Sequence, residues 1–363
     1  VADLSIAEQQ LVEIARAVNS NPTLLILDEP TSSLGTEEVD RVLETVNKIG
    51  RRGVAVIYVS HRLAEIRKIA DTVTVMRDGQ VIETIPVADA TTQEIARAML
   101  GKSSEESNFD LAPNPNGGVA VSVRHANIGD KLSDVSLDVR FGEVLGIAGL
   151  LGAGRTELLE AIAGLRRVDA GSIEISGEVA HNKGRKFTRK LGVGFTSEDR
   201  KTDGIIPERG IDENLVMAAW RKVSNLGVVS NSRLLDTAKN LVKMLSIRAG
   251  STTTPIKNLS GGNQQKVVIG RQLHAGSHIL LLDEPTRGVD IEAKGQIYDL
   301  LRTRASEGDA VVFVSSEIEE LPLVADRTVV FAGGRLVETL EAPDFDTEKL
   351  LVAAMAGTDS EGK

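Results

Sequence analysis

Residues Leu259–Thr286 read LSGGNQQKVVIGRQLHAGSHILLLDEPT, and the fold follows from this stretch. Ser260-Gly261-Gly262 predicts a helix start whose small residues leave the first backbone amides pointing outward, a ready anion site. The helical pattern runs to about His274. Ile279 to Leu282 is an apolar strand closed by Asp283 and Glu284, so two neighbouring carboxylates are expected where a buried strand meets the surface. An Asp there can hold Mg²⁺, and the Glu beside it can orient a water for attack on a phosphoryl group. Apolar strands ending in acids occur throughout α/β proteins. The small-residue helix start about twenty residues ahead of the acids is what makes this combination specific.

The same stretch occurs earlier in the chain. Leu4-Ser5-Ile6-Ala7-Glu8-Gln9-Gln10 matches LSGGNQQ, and Leu24–Thr31, LLILDEPT, matches the strand and its acids. Ser5 pairs with Ser260, Gln9 with Gln264, Asp28 with Asp283 and Glu29 with Glu284, an offset of 255 residues that continues without a gap to Glu83 and Glu338. A repeat of this length is a duplicated domain rather than a solenoid unit.

Gly149–Thr156, GLLGAGRT, follows the apolar stretch Glu143–Ala148 and opens a helix expected to reach about Ala163. Gly149, Gly152, Ala153 and Gly154 let backbone amides turn inward onto phosphate oxygens, with the helix N-terminus adding its dipole. Arg155 supplies a planar, forked cation, and Thr156 a hydroxyl able to hold Mg²⁺.

Composition bounds what such a site can serve. A chain of 363 residues is long enough for two cores. Its net charge of −10 offers no electrostatic footprint for nucleic acid, and an aromatic content of 3% argues against a base-stacking surface. The absence of cysteine removes disulfides and thiolate metal sites. No apolar run approaches the roughly 20 residues of a membrane span.

The paired motifs resemble the signature motif and Walker B strand of ATP-binding cassette (ABC) ATPases, and Gly149–Thr156 resembles their Walker A loop with Arg155 where Lys is usual. The implied fold is an α/β P-loop NTPase cassette: a mixed sheet core with an antiparallel β subdomain and a helical subdomain. The duplication then reads as a tandem of cassettes whose first copy is incomplete. Residues 1–100 would be the C-terminal part of the first cassette, 101–118 a Ser-, Asn-, Pro- and Gly-rich linker, 119–357 the second cassette, and 358–363 a polar tail. By the offset, roughly 140 residues of the first copy, its Walker A loop among them, would precede Val1. Leu24 to Leu27 and Val54 to Val59 would then have incomplete cover, since parallel strands need both faces packed.

What the resemblance implies for the sites is asymmetric. Cofactors are ATP and Mg²⁺, the metal held by Asp28 in one copy and by Thr156 and Asp283 in the other. Glu29, Glu284 and His61 are the hydrolytic residues, His61 being the one that contacts the γ-phosphate. Ser316 stands in the place of His61, Glu198 where the family usually has a Gln, and Val119–Arg140 carries no aromatic to stack on adenine. Cassettes of this family close head to tail. Ser260, Gly261, Gly262 and Gln264 would therefore close over the first ATP with Glu29 and His61, and Ser5, Ile6 and Ala7 over the second. Ile-Ala in place of Gly-Gly leaves less room for that approach. One working and one structural site are expected.

Gly154–Leu158 (GRTEL), Ser197–Lys201 (SEDRK), Asp212–Leu215 (DENL) and LSGGNQQK are similar to the ATPases of simple-sugar importers. That resemblance implies two membrane permease subunits docking near Glu198 and the helical region after it, a sugar-binding protein, and a peripheral place on the cytoplasmic face of the inner membrane. The alternative is a tandem ABC ATPase acting on ribosomes or nucleic acid. It would call for two Walker lysines and a basic linker, whereas this linker has Lys102 against Glu105, Glu106 and Asp110.

Overall fold

A computed structural model describes residues 6–31, 34, 36–60, 63–77, 79–90, 94–95, 117–150, 152–341 and 347–355. The chain forms two compact units, 1–107 with 290–292, and 108–289 with 293–363.

In the first unit, helix α1 (Ile6–Asn19) leads into strand β1 (Leu24–Asp28), and helix α2 (Thr36–Gly50) into strand β2 (Ala55–Val59). A short helix α3 (Leu63–Ile69) and the antiparallel pair β3 (Thr72–Arg77) and β4 (Gln80–Pro86) follow. Strands β1 and β2 pair in parallel, from Leu24 with Ala55 to Asp28 with Val59. Alternation along β1 sends Leu25 and Leu27 into a core with Ile14, Val42 and Val46. The other face is bare: Leu24, Ile26, Ile57 and Val59 are exposed, Ile26 at 62%.

The second unit is built on three cores. Strands β5 (Val119–Ile128) and β6 (Leu132–Arg140) join β8 (Ala170–Ile175) and β9 (Glu178–Val179) in a four-stranded antiparallel sheet. Strand β7 (Val144–Gly149) runs into helix α4 (Arg155–Ala163). Helix α5 (Arg185–Lys190) precedes β10 (Val193–Thr196). Helices α6 (Ile211–Val216), α7 (Asn231–Met244) and α8 (Gly261–Ala275) make a helical portion around Leu215, Ala238, Leu245 and Val267. Then come β13 (Ile279–Asp283), α9 (Ile291–Ser306), β14 (Ala310–Val314), α10 (Leu321–Val324), β15 (Arg327–Ala332), β16 (Arg335–Glu341) and α11 (Thr347–Met355). The central sheet has the order β10-β13-β14-β7-β15-β16, parallel throughout except at β16.

Both faces of this sheet are covered, which is why its strands read as unbroken apolar runs. Ile279, Leu281, Val312 and Val314 pack with Leu158 and Ile162 of α4 and with the antiparallel sheet. Leu280, Leu282, Val311 and Phe313 pack with Ile297 and Leu301 of α9.

The sequence pattern predicts helix through most of Asp199 to Gly250. The structure interrupts it with a small antiparallel hairpin, β11 (Ser224–Asn225) and β12 (Val228–Val229). Its two-residue turn is Leu226-Gly227, both at positive φ, 48° and 83°. A Leu there is no turn signal, because such turns favour Asn or Gly at the first position.

The two units repeat each other in detail. Leu24 pairs with Ala55 and Ile279 with Ala310; Thr72 pairs with Pro86 and Arg327 with Glu341. Even the bulges recur, between Val75 and Met76 and between Val330 and Phe331. Each of these positions is separated from its counterpart by the offset seen in the sequence.

Candidate functional site

Strand β7 ends at Gly149, and the loop from it enters α4 through Gly152, Ala153 and Gly154. Gly154 sits at φ 95°, and a Cβ on it would lie 2.3 Å from Leu132 Cδ2 and 2.7 Å from the Lys131 carbonyl oxygen. The Lys131 carbonyl is backbone and cannot yield without moving the turn of the antiparallel sheet, and the positive φ strains any side chain there. Gly154→Ala is therefore expected to force the loop open and weaken nucleotide binding about tenfold, the scale of 1–3 kcal/mol of backbone strain. Equilibrium titration with a fluorescent ATP analogue checks this, and an unchanged affinity would show that the loop does not cradle the phosphates.

Thr156, in the first turn of α4, points at the end of β13. Its hydroxyl donates to Asp283 Oδ2 at 2.7 Å. Asp283 is 1% exposed, and burial raises its pKa against the pull of Thr156 and Arg155. The two residues expected to hold Mg²⁺ are thus brought together from distant parts of the chain. A hydroxyl and a carboxylate are the hard oxygen donors that Mg²⁺ takes when phosphates and water complete its shell, so the residues present fit the metal.

Glu284 follows at φ 46°, with its N–H donating to the Val314 carbonyl at 3.1 Å. Its carboxylate is turned inward. Oε1 lies 3.2 Å from Arg155 Nη1, both side chains being nearly buried, and Oε2 accepts from the Ser316 hydroxyl at 3.1 Å. Burial pushes the Glu284 carboxyl up to about 7, although Arg155 and the Ser316 backbone pull it down. Arg155 Nη1 and Glu284 Oε1 meet as charges without hydrogen-bond alignment. That leaves a buried guanidinium donor beside the phosphate loop which phosphate oxygens could accept. The residues present therefore fit a nucleotide, with Arg155 standing between the loop and the Glu284 carboxylate.

The signature stretch caps α8. Ser260 is its N-cap residue, exposed, and its hydroxyl accepts from Asn263 Nδ2 at 2.9 Å. The glycines after it are required by packing: a Cβ on Gly262 would lie 2.2 Å from that of Ala293, and one on Gly261 would lie 2.7 Å from the Gly288 carbonyl. Gln264 turns inward, its amide donating to the carbonyls of Ile256 and Leu259, so its side chain holds the turn before the helix. Glu198 is ion-paired with Arg287, just past the acids.

In the first unit Asp28 and Glu29 stand exposed at the end of β1. Glu29 has φ 43°, and its N–H donates to the Val59 carbonyl at 2.9 Å. Ser5 and His61 lie outside the described residues. The sequence stretches considered above did not single out Arg287, Glu65 or Glu320. Thr31, Glu65, Thr286 and Glu320 recur as identical pairs across the repeat, which is the signal that marks them.

Comparison with known proteins places the family. The ABC transporter family matches residues 1–32 and 132–287. The chain is similar to an uncharacterized ABC transporter ATP-binding protein of Escherichia coli K12, 48% identical over 98% of this chain and 71% of the relative. It is also similar to ribose import ATP-binding proteins of Corynebacterium glutamicum, 42% identical over 99% of this chain and 68% of that protein, and of Bacillus subtilis, 36% over 98% and 72%. Among solved structures, a nucleotide-free ATP-binding cassette from an ABC transporter superposes with TM-score 0.55 at 17% identity, over 68% of this chain and all of that one. A dimeric cassette bound to ADP and Pi gives 0.53 at 22%, over 62% of this chain and all of that one. A phosphate loop on β7, the Thr156–Asp283 pair at its mouth and the LSGG-capped helix thus stand in a chain that belongs to the ABC transporter family of ATPases.

Proposed function

We propose that the protein is the ATP-hydrolysing subunit of a carbohydrate importer, built as two cassettes of unequal chemistry. The observation that carries the tandem is the recurrence of strand register, bulge and the left-handed glutamate, Glu29 and Glu284, at one constant offset. Relatives named for ribose import support the substrate class.

The two centres divide the work. Head-to-tail closure places Ser260, Gly261 and Gly262 over the nucleotide served by Asp28, Glu29 and His61, with Gln264 contributing through the turn it braces. Ser5 and the Ile-Ala after it stand in sequence where Ser260-Gly261-Gly262 stands in the second copy. In the first centre Glu29 orients the attacking water. In the second, Arg155 and Ser316 hold Glu284, so ATP is bound by Gly152, Gly154, Arg155 and Thr156 with little turnover. Thr156 and Asp283 would hold Mg²⁺, which would supply charge neutralisation to the phosphates.

The partners are a pair of membrane permease subunits and a sugar-binding protein, with this chain peripheral on the cytoplasmic face. No helix among the described residues is long and apolar enough to cross a membrane. An open groove of about 240 Å³ lined by Ile206, Arg209, Glu213, Met217 and Trp220 lies in the helical portion that follows Glu198, and it suits an apolar anchor with a charged rim. Co-purification with the permease from membranes tests the assignment, and Trp220→Ala is expected to weaken it at least about tenfold, as loss of an aromatic anchor does. Sedimentation with ribosomes at physiological salt would overturn the transport assignment in favour of nucleic-acid work, which the net charge of −10 opposes.

A further inference from the structure

We propose that Glu65, with its counterpart Glu320, is a positioning residue of the ATPase centre. Each is a buried clasp joining the turn after the general-base glutamate to the turn that ends the next strand.

Glu65 is 4% exposed. Its Oε2 accepts from the hydroxyls of Thr31 at 2.6 Å, Tyr58 at 2.7 Å and Ser60 at 3.2 Å. Thr31 lies two residues past Glu29, and Ser60 directly precedes His61. In the second unit Glu320 Oε2 accepts from Thr286 at 2.6 Å and Ser315 at 2.9 Å, and Oε1 from Lys294 Nζ at 2.6 Å. Thr286 lies two residues past Glu284, and Ser315 directly precedes Ser316. The threonine and serine arms are the same in both units; Tyr58 joins them in the first, and Lys294 and Tyr298 in the second.

There is a physical need for it. Glu29 and Glu284 both stand at positive φ, 43° and 46°, a conformation that a long side chain holds only when its surroundings over-determine it. One hydrogen bond from each glutamate N–H to the neighbouring strand fixes one side of the turn. The clasp fixes the other side, and in the second unit it ties down the turn that brings the Ser316 hydroxyl to the Glu284 carboxylate. Short bonds from hydroxyls to a buried carboxylate are charge-assisted and therefore stiff.

This rests on the assignment of turnover to Glu29, so the experiment separates the two. In the assembled transporter Thr31→Val, which removes one hydroxyl at constant shape, is expected to lower kcat about tenfold with KM for ATP unchanged within about twofold. Thr31→Ser keeps the hydroxyl and is expected to restore kcat. Should Thr31→Val fail to fold, Ser60→Ala cuts a second arm of the clasp and is expected to show the same kcat-only loss. A wild-type kcat in Thr31→Val, or an equal loss in Thr31→Ser, overturns the clasp. If Glu29→Gln leaves turnover intact, the assignment of the working centre fails instead. The clasp then requires the loss to move to Thr286→Val, and its absence there would overturn it.

Discussion

Glu29→Gln is expected to cut ATP turnover of the assembled transporter about 10²-fold or more, the scale of losing a positioned general base, while Glu284→Gln changes it little. The two glutamates share backbone conformation, strand-end position and N–H bond. Their carboxylates differ in surroundings. In the first unit the counterpart of Ser316 is His61. Glu284 is nearly buried, with Arg155 on one oxygen and the Ser316 hydroxyl on the other. A base with a guanidinium charge against one oxygen and a hydroxyl bonded to the other must leave both before it can orient water. Steady-state phosphate release by the two single variants decides the matter. Equal losses in both would sink the asymmetric scheme, and a loss confined to Glu284→Gln would reverse it.

Much of this was legible in the sequence because it is coded locally. The unbroken apolar run Ile279–Leu282 announces a strand covered on both faces, and the acids after it announce the strand's mouth. The repeat carried further than secondary structure: one offset fixed the pairing partners of β1, β2, β3 and β4 from those of the second unit. The exposed side of β1 and β2, Leu24, Ile26, Ile57 and Val59, also follows, since the positions that α4 and the antiparallel sheet cover in the second unit have no such neighbours among the described residues of the first. Interactions between distant segments were not legible. The Arg155–Glu284 pair joins a helix start to a strand end, and spacing says nothing about which oxygen a guanidinium will meet. Arg155 in the Walker A position told of a changed cation, but only the structure showed that cation turned onto the general base. The motif marks Gln264 as a nucleotide contact, while its amide bonds the Ile256 and Leu259 carbonyls, which a linear pattern cannot reveal.

Glu284→Gln is also expected to stabilise the nucleotide-free second unit, by an amount that grows with pH. The Glu284 carboxyl is raised from 4.5 to about 7, chiefly by burial. A carboxyl whose folded pKa lies above its unfolded one binds its proton more tightly when folded, so stability falls as pH rises between the two values. Its favourable contribution is complete below about pH 4.5 and is lost as pH passes through about 7. A shift of that size corresponds to about 3 kcal/mol at full ionisation. Gln never ionises, so the difference between variant and wild type should be near zero at pH 4.5, where Glu284 and Gln are both neutral beside Arg155, and should approach about 3 kcal/mol at pH 8. Other groups titrate in both proteins and cancel in the difference. Trp220 is the sole tryptophan and lies in the second unit, so its fluorescence during urea unfolding in magnesium-free buffer reports this unit directly. A difference that stays flat from pH 5 to 8 would mean that Glu284 is not held as a buried ion. A rising difference would identify Glu284 as a buried acid whose ionisation costs the fold stability despite Arg155 beside it.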